Sequence, residues 1–261
     1  MKRPPTTVAF VLLVAAAVLA GGANGRAHER QVGPKTDQEP IMVTLERVSG
    51  RLAHKLQPDP APGTDVLRGL QILFGQLGPD FPVIGVIDAS IKVVDIAAVS
   101  GLAGKAQFNN VYTFLLDRNS KQMIQVCFFG DQAISRKPTL SPPEKRRPIM
   151  LTVEAERGRV IYGIDANPAP DRDVLRGLKI LARWRGADYP VVVLINQNVL
   201  VADLLRAQAL ARKANFTNPH TFILDYDLKR MTEVHFCTEQ PISNTPRLDS
   251  GCGSTFFPIQ N

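Results

Sequence analysis

Cysteine is scarce: Cys127, Cys237 and Cys252 are the only three in 261 residues. So sparse and odd a set excludes the disulfide scaffolds of small exported domains. One bridge can form, with Cys237 and Cys252 the nearest pair in sequence, and unpaired buried thiols suit the same residues equally well. Histidine is almost as rare, with only His54, His220 and His235 beyond residue 40, and tryptophan occurs once, at Trp184. No glycine-rich loop of the phosphate-binding kind joins a strand to a helix, because Gly69 and Gly177 fall inside helical patterns. No serine stands in a nucleophile-elbow pattern. These absences point away from nucleotide chemistry and serine hydrolysis, and no cofactor is expected.

Long apolar runs are equally few. The clearest is Val8–Ala20, preceded by Lys2 and Arg3 and followed by Gly21, Gly22, Ala23, Asn24 and Gly25. Positive, then apolar, then small residues in that order predict a secretory signal peptide over residues 1–25, cleaved at Ala23-Asn24-Gly25. The run is shorter than the roughly 20 residues that cross a bilayer, so membrane attachment is expected only where it stays uncleaved. A periplasmic or secreted location follows. Residues 26–40, polar and without periodicity, are expected to form a disordered leader.

The net charge of +7 invites a nucleic-acid reading until its position is examined. Residues 41–135 hold eight basic and eight acidic side chains, and residues 149–243 hold twelve and eleven. The excess sits in the leader and in segment 136–148, which has five basic residues against one acidic. A nucleic-acid footprint belongs on a folded face, so no nucleic-acid partner is expected.

What the chain does have is a repeat. Ile41–Ser135 aligns without a gap on Ile149–Ser243 at an offset of 108, with about 40 of 95 positions identical. The clearest match sets Pro60-Ala61-Pro62 and Asp65–Leu70 against Pro168-Ala169-Pro170 and Asp173–Leu178. A unit of this length exceeds a solenoid repeat, which predicts two tandem domains, each with its own core. Between them, prolines and like charges over 136–148 predict an extended basic linker, solvated rather than docked. Residues 244–261 are expected to form an irregular tail.

Within the second copy, Met150–Glu154 and Arg159–Tyr162 form a strand pair about Gly158. Val174, Leu175, Leu178, Ile180 and Leu181 recur at helical spacing, with Asp171 or Asp173 as cap and Gly186 as stop. Val191–Ile195 predicts a buried strand, Val201–Ala214 a second helix, and Thr221–Leu224 and Met231–Cys237 two closing strands. The order ββαβαββ, twice over, predicts an α/β fold of the α+β type: a two-layer sandwich with helices packed on a mixed sheet.

Leu151-Thr152-Val153-Glu154, Gly158-Arg159-Val160, the helical Leu175-Leu178-Leu181, Pro190–Val193 and the helix ending at Lys213-Ala214 before Thr217 resemble the periplasmic domain of ExbD/TolR-type proteins. The first copy shows the same skeleton in Val43–Glu46, Gly50-Arg51-Leu52 and Pro82-Val83. The resemblance spans about 80 residues of each copy. The family's aspartate after the central strand is Asp88 in one copy and Asn196 in the other, and its Pro-Tyr-Gly-like turn is replaced by Ile91-Lys92-Val93 and Leu200-Val201-Ala202. The membrane helix of the family carries an acidic residue, whereas Val8–Ala20 holds no charge, so a proton-driven role is not implied. The resemblance implies a periplasmic module that binds an envelope protein or peptidoglycan without chemistry of its own.

Two sets of residues compete for a functional role. Around the first helix of the second copy stand Arg172, Arg176, Lys179, Arg183, Trp184 and Arg185, against Arg68 alone in the first copy. An aromatic among arginines suits an interface anchor or a carbohydrate platform, or else a solvated helix whose tryptophan packs on the sheet. The alternative is an exported, hydrolase-like enzyme with a site at the domain interface built from Asp225, His220, His235 or Cys237. His220 and Asp225, roughly 16 Å apart along an extended strand, cannot pair directly. No metal site is expected, because His235, Cys237 and Cys252 are too few for a four-ligand zinc centre. The paired Asp65/Arg68 and Asp173/Arg176 suit helix starts, where acidic residues favour the dipole.

Overall fold

The computed structural model of the chain describes residues 39–135, 137–140, 143–165, 167–249 and 252. The expected signal peptide and all but the end of the expected leader lie outside them. Among the described residues no helix is long and apolar enough to cross a membrane.

Each repeat opens with a hairpin. Strand β1 (Ile41–Val48) pairs antiparallel with β2 (Arg51–Gln57), and β6 (Ile149–Glu156) with β7 (Arg159–Ile164). The connecting residues Ser49-Gly50 have φ of 50° and 80°, and Arg157-Gly158 have 49° and 75°. Two residues at positive φ form the mirror-image turn whose twist matches the strands it joins. The first helix follows: α1 (Val66–Leu77) in one repeat, α3 (Asp171–Arg185) in the other. The Asp65 carboxylate caps α1 by accepting the Arg68 backbone N–H at 2.8 Å. Both helices stop at a glycine in the left-handed region, Gly78 at 85° and Gly186 at 97°.

The first repeat continues with β3 (Val83–Asp88), a 3-10 turn (Val93–Ile96) running into α2 (Ala97–Lys105), β4 (Val111–Asp117) and β5 (Gln122–Ala133). The second adds a short strand β8 (Asn167–Ala169) before α3. It then continues with β9 (Val191–Asn196), α4 (Val201–Lys213), β10 (Pro219–Asp225) and β11 (Arg230–Pro241). The fold is the α/β sandwich expected from the sequence, with helices on one face of a mixed sheet.

The two repeats share one eleven-stranded sheet, ordered β2-β1-β3-β4-β5-β11-β10-β9-β6-β7-β8. They join where β5 and β11 pair antiparallel, with Cys127 opposite His235. Those two residues hold the same place in their repeats, so a pseudo-two-fold axis passes between them. The loops after β3 and β9 meet across the same axis. Val93 N–H donates to Val199 at 2.9 Å and Val201 N–H to Ile91 at 2.8 Å. Val94 N–H donates to Gln197 at 2.9 Å and Ala202 N–H to Ala89 at 3.0 Å. Every bond has its counterpart at the repeat offset, the pattern of an isologous dimer interface drawn into one chain.

On the helical face, one continuous apolar cluster contains buried residues of both repeats, including Leu45, Phe108, Leu178 and Phe216. Where α2 crosses β3, Gly85 makes room: a Cβ there would lie 2.7 Å from Val99 Cγ1. The equivalent positions hold Val193 and Ala207, the two sizes exchanged.

The other face carries two smaller apolar clusters, each closed by a segment of the opposite repeat. Leu140, which follows repeat 1, is 5% exposed and packs with Val192, Leu194, Phe222, Leu224 and Met231 of repeat 2. Leu248, which follows repeat 2, packs with Ile84, Phe114, Leu116 and Met123 of repeat 1. Matching amides hold both straps. Gln132 accepts from the Thr139 N–H at 2.8 Å and donates to its carbonyl at 3.0 Å, as Gln240 does with Arg247 at 2.8 and 2.9 Å. Leu140 and Leu248 are themselves equivalent, so the repeat runs on past Ser135 and Ser243. The stretch expected to be a solvated spacer is thus docked, because one leucine among prolines and charges finds an apolar pocket. Its Arg146 also bonds Glu144 at 2.8 Å and Asp188 at 3.1 Å.

Candidate functional site

The helix α3 face is the first of two sites that the sequence proposed. Its buried side, Val174 and Leu178, packs into the core. On the outer side Leu175, Arg176, Lys179, Ile180 and Arg183 line a shallow groove of about 450 Å³. Trp184 follows one turn after Ile180 and is 82% exposed, and Ile180 is 43% exposed. Its ring therefore does not pack on the sheet. Arg185 departs from the group, its guanidinium lying 5.4 Å from the Tyr189 ring centroid, with Arg146 at 5.2 Å from the same centroid. Arg172 lies in the helix, but its side chain is outside the described residues. What remains together is a groove of two aliphatic side chains and three cations, with Trp184 exposed one helical turn beyond Ile180.

The second site lies at the pseudo-dyad, on the sheet face away from the helices. His220 on β10 and His235 on β11 converge on Glu233. Its Oε1 lies 2.9 Å from His220 Nδ1 and 3.2 Å from His235 Nε2. His220 and Glu233 are 6% and 5% exposed. Burial pushes the Glu233 carboxyl up, but the two imidazoles outweigh it and hold its pKa below the ordinary value. His235 also lies against Phe129, the ring centroids 4.2 Å apart. Asp225, the fourth candidate, stands apart: it accepts from the Asp227 and Leu228 N–H groups at 3.1 and 2.9 Å and lies 3.7 Å from Arg230.

Beside this group the described cysteines meet. Cys127 comes from β5, Cys237 from β11 and Cys252 from the tail, and their sulfurs all lie within 4.8 Å of one another. Cys127 and Cys252 are buried and Cys237 is half-buried. The tail is brought there by Asp249, whose backbone N–H donates to Gln125 at 2.8 Å and whose carboxylate accepts from Thr238 at 3.0 Å. Cys252 lies against Cys237, its nearest possible bridge partner in sequence, and equally against Cys127. Sequence reasoning missed Cys127 because its neighbour across the strand belongs to the other repeat, more than a hundred positions away. The one available signal was the offset: residue 127 is the equivalent of 235, and a dyad through both would place them side by side.

The loops after β3 and β9, where the resemblance puts the family's aspartate, serve the fold. Asp88 accepts from the Ser90 backbone N–H at 2.9 Å, and Asn196 from the Asn198 N–H at 2.8 Å. The same Asp88 takes Arg118 Nε at 2.5 Å. Burial raises its pKa, while the Ser90 bonds and Arg118 together bring it below the ordinary value. The turns so formed aim residues 91–94 and 199–202 at each other. A larger concavity, about 740 Å³, opens at the outer edge of repeat 1 between Met42, Leu56, Leu73, Gln76 and Phe81. No protein-family model, no curated protein and no solved structure matches this chain.

Proposed function

We propose that this chain is an exported, non-enzymatic adaptor of the cell envelope, a duplicated module of the ExbD/TolR periplasmic type, that holds peptidoglycan or an envelope protein on the outer face of α3. The observation that carries the reading is Trp184, its ring almost fully in solvent beside Ile180. Leaving so large an apolar surface exposed on a folded helix has a cost that binding removes, and tryptophan and arginine are both enriched among interface anchors. Arg176, Lys179 and Arg183 on the rim suit the carboxylates of a cell-wall peptide, and the indole suits a sugar face. Peptidoglycan is therefore the first partner to test.

Sedimentation of the mature chain with purified peptidoglycan tests this directly. Retention is expected to fall about tenfold or more in the variant Trp184→Ala/Arg183→Ala. Equal retention of both chains would refute the α3 site, and capture of a protein in place of the polymer would turn the reading to the protein partner. The enzymatic alternative rests on the convergence of His220 and His235 on Glu233. It requires turnover of some substrate that Glu233→Gln abolishes while the fold persists.

A further inference from the structure

The described residues hold a second ligand-binding constellation, independent of α3. The geometry points to a site for a soft, thiophilic metal cation formed by the thiolates of Cys127, Cys237 and Cys252.

Pairing cannot satisfy the trio. Cys252 stands beside both Cys127 and Cys237, and the Cα separations, 5.8 and 6.3 Å, admit either bridge. A sulfur carries only one disulfide, so any bridge strands a third sulfur, and Cys127 and Cys237 are themselves 3.1 Å apart. A metal ion uses all three at once. Bonds of about 2.3 Å to a shared cation place thiolates about 4 Å from one another. The three sulfurs, all within 4.8 Å of one another and with Cys127 and Cys237 3.1 Å apart, sit somewhat closer than that and open apart to take the ion. Burial also argues for a cation: three clustered thiolates in a dry setting repel one another, and a bound ion neutralises them.

The ligand set selects the class of ion. Three sulfurs without oxygen donors exclude magnesium and calcium and favour copper(I) or zinc(II). No fourth histidine or carboxylate joins the group among the described residues. The site is thus an open three-thiolate bowl, which suits three-coordinate copper(I), or zinc(II) completed by an outside ligand. Cys237, half-buried, is the most accessible of the three ligands. The three ligands come from repeat 1, repeat 2 and the tail, so a bound ion ties the tail to both halves at the dyad. Binding to three thiols releases their protons, which makes affinity rise with pH.

The test uses the full mature chain, reduced and kept free of oxygen, titrated separately with copper(I) and zinc(II) against a chromophoric chelator. One ion per chain is expected, held at least about 100-fold more tightly than by Cys252→Ser. The melting temperature should rise with the ion in the parent chain and stay fixed in Cys252→Ser. Cys127→Ser gives a second chance should the tail variant misfold. Whichever ion binds more tightly identifies the member of the class. Affinity unchanged in both variants would overturn the proposal. So would a reduced chain that holds neither ion and, returned to air, forms one disulfide with a single alkylatable thiol left over.

Discussion

Replacing Leu140 by alanine tests the strap that the sequence disguised as a spacer. Leu140 is 5% exposed, against Val192, Leu194, Phe222, Leu224 and Met231 of the opposite repeat. Burying a leucine side chain contributes about 1.5–3 kcal/mol, and truncation to alanine in a rigid core costs about 2–5 kcal/mol. The strap lies on the surface of the sheet and can settle into the space left behind, so the lower part of that range applies, about 2–3 kcal/mol. In a chain of this size each kcal/mol shifts the melting temperature by about 2–4 °C, which predicts a drop of about 4–12 °C. Leu248→Ala, at its half-buried equivalent, should cost less. Thermal denaturation followed by circular dichroism reads both. A Leu140→Ala midpoint within about 1 °C of the parent would refute the packing argument and restore the solvated linker.

Four other outcomes are expected. Trp184→Ala, at an 82% exposed position, should change stability by less than about 0.5 kcal/mol, so any loss of retention on peptidoglycan cannot be blamed on unfolding. Gly85→Ala should destabilise by about 1–3 kcal/mol because its Cβ would meet Val99 at 2.7 Å. Gly75→Ala, inside α1 with nothing within 4 Å, should stabilise by up to about 1 kcal/mol, and urea midpoints separate the two glycines. Glu233 is depressed on folding by His220 and His235, so its stabilisation is complete above the unfolded glutamate value, about 4.3, and fades as pH falls through the folded value. An acid unfolding curve unchanged by Glu233→Gln would contradict that linkage.

Local elements were legible because they obey short-range rules. Gly158 marked a turn that the structure forms with Arg157 and Gly158 both at positive φ. Gly186 ended a helix where the chain needs φ of 97°. The apolar runs at Val83 and Val191 became strands buried on both faces, and the two helices of each repeat followed their apolar spacing. Site residues fared unevenly. The α3 cations were visible as composition, but the exposure of Trp184 and the turn of Arg185 to Tyr189 depend on what lies beside the helix. Strand β8 escaped notice because Asn167-Pro168-Ala169 carries no strand signal and pairs only because β7 offers an open edge.

By itself the sequence determined the element order, the duplication and the side of each helix that turns inward, since capping, turn conformation and hydrophobic periodicity act over a few neighbouring residues. The tertiary structure alone decided how the copies meet. Pairing β5 with β11 brings together residues about a hundred positions apart, and no local preference encodes which strand edge finds which. From that choice follow the shared sheet, the crossed straps at Leu140 and Leu248 and the meeting of three cysteines. Burying apolar faces and satisfying exposed strand edges are properties of the whole surface, and they become readable only when that surface exists.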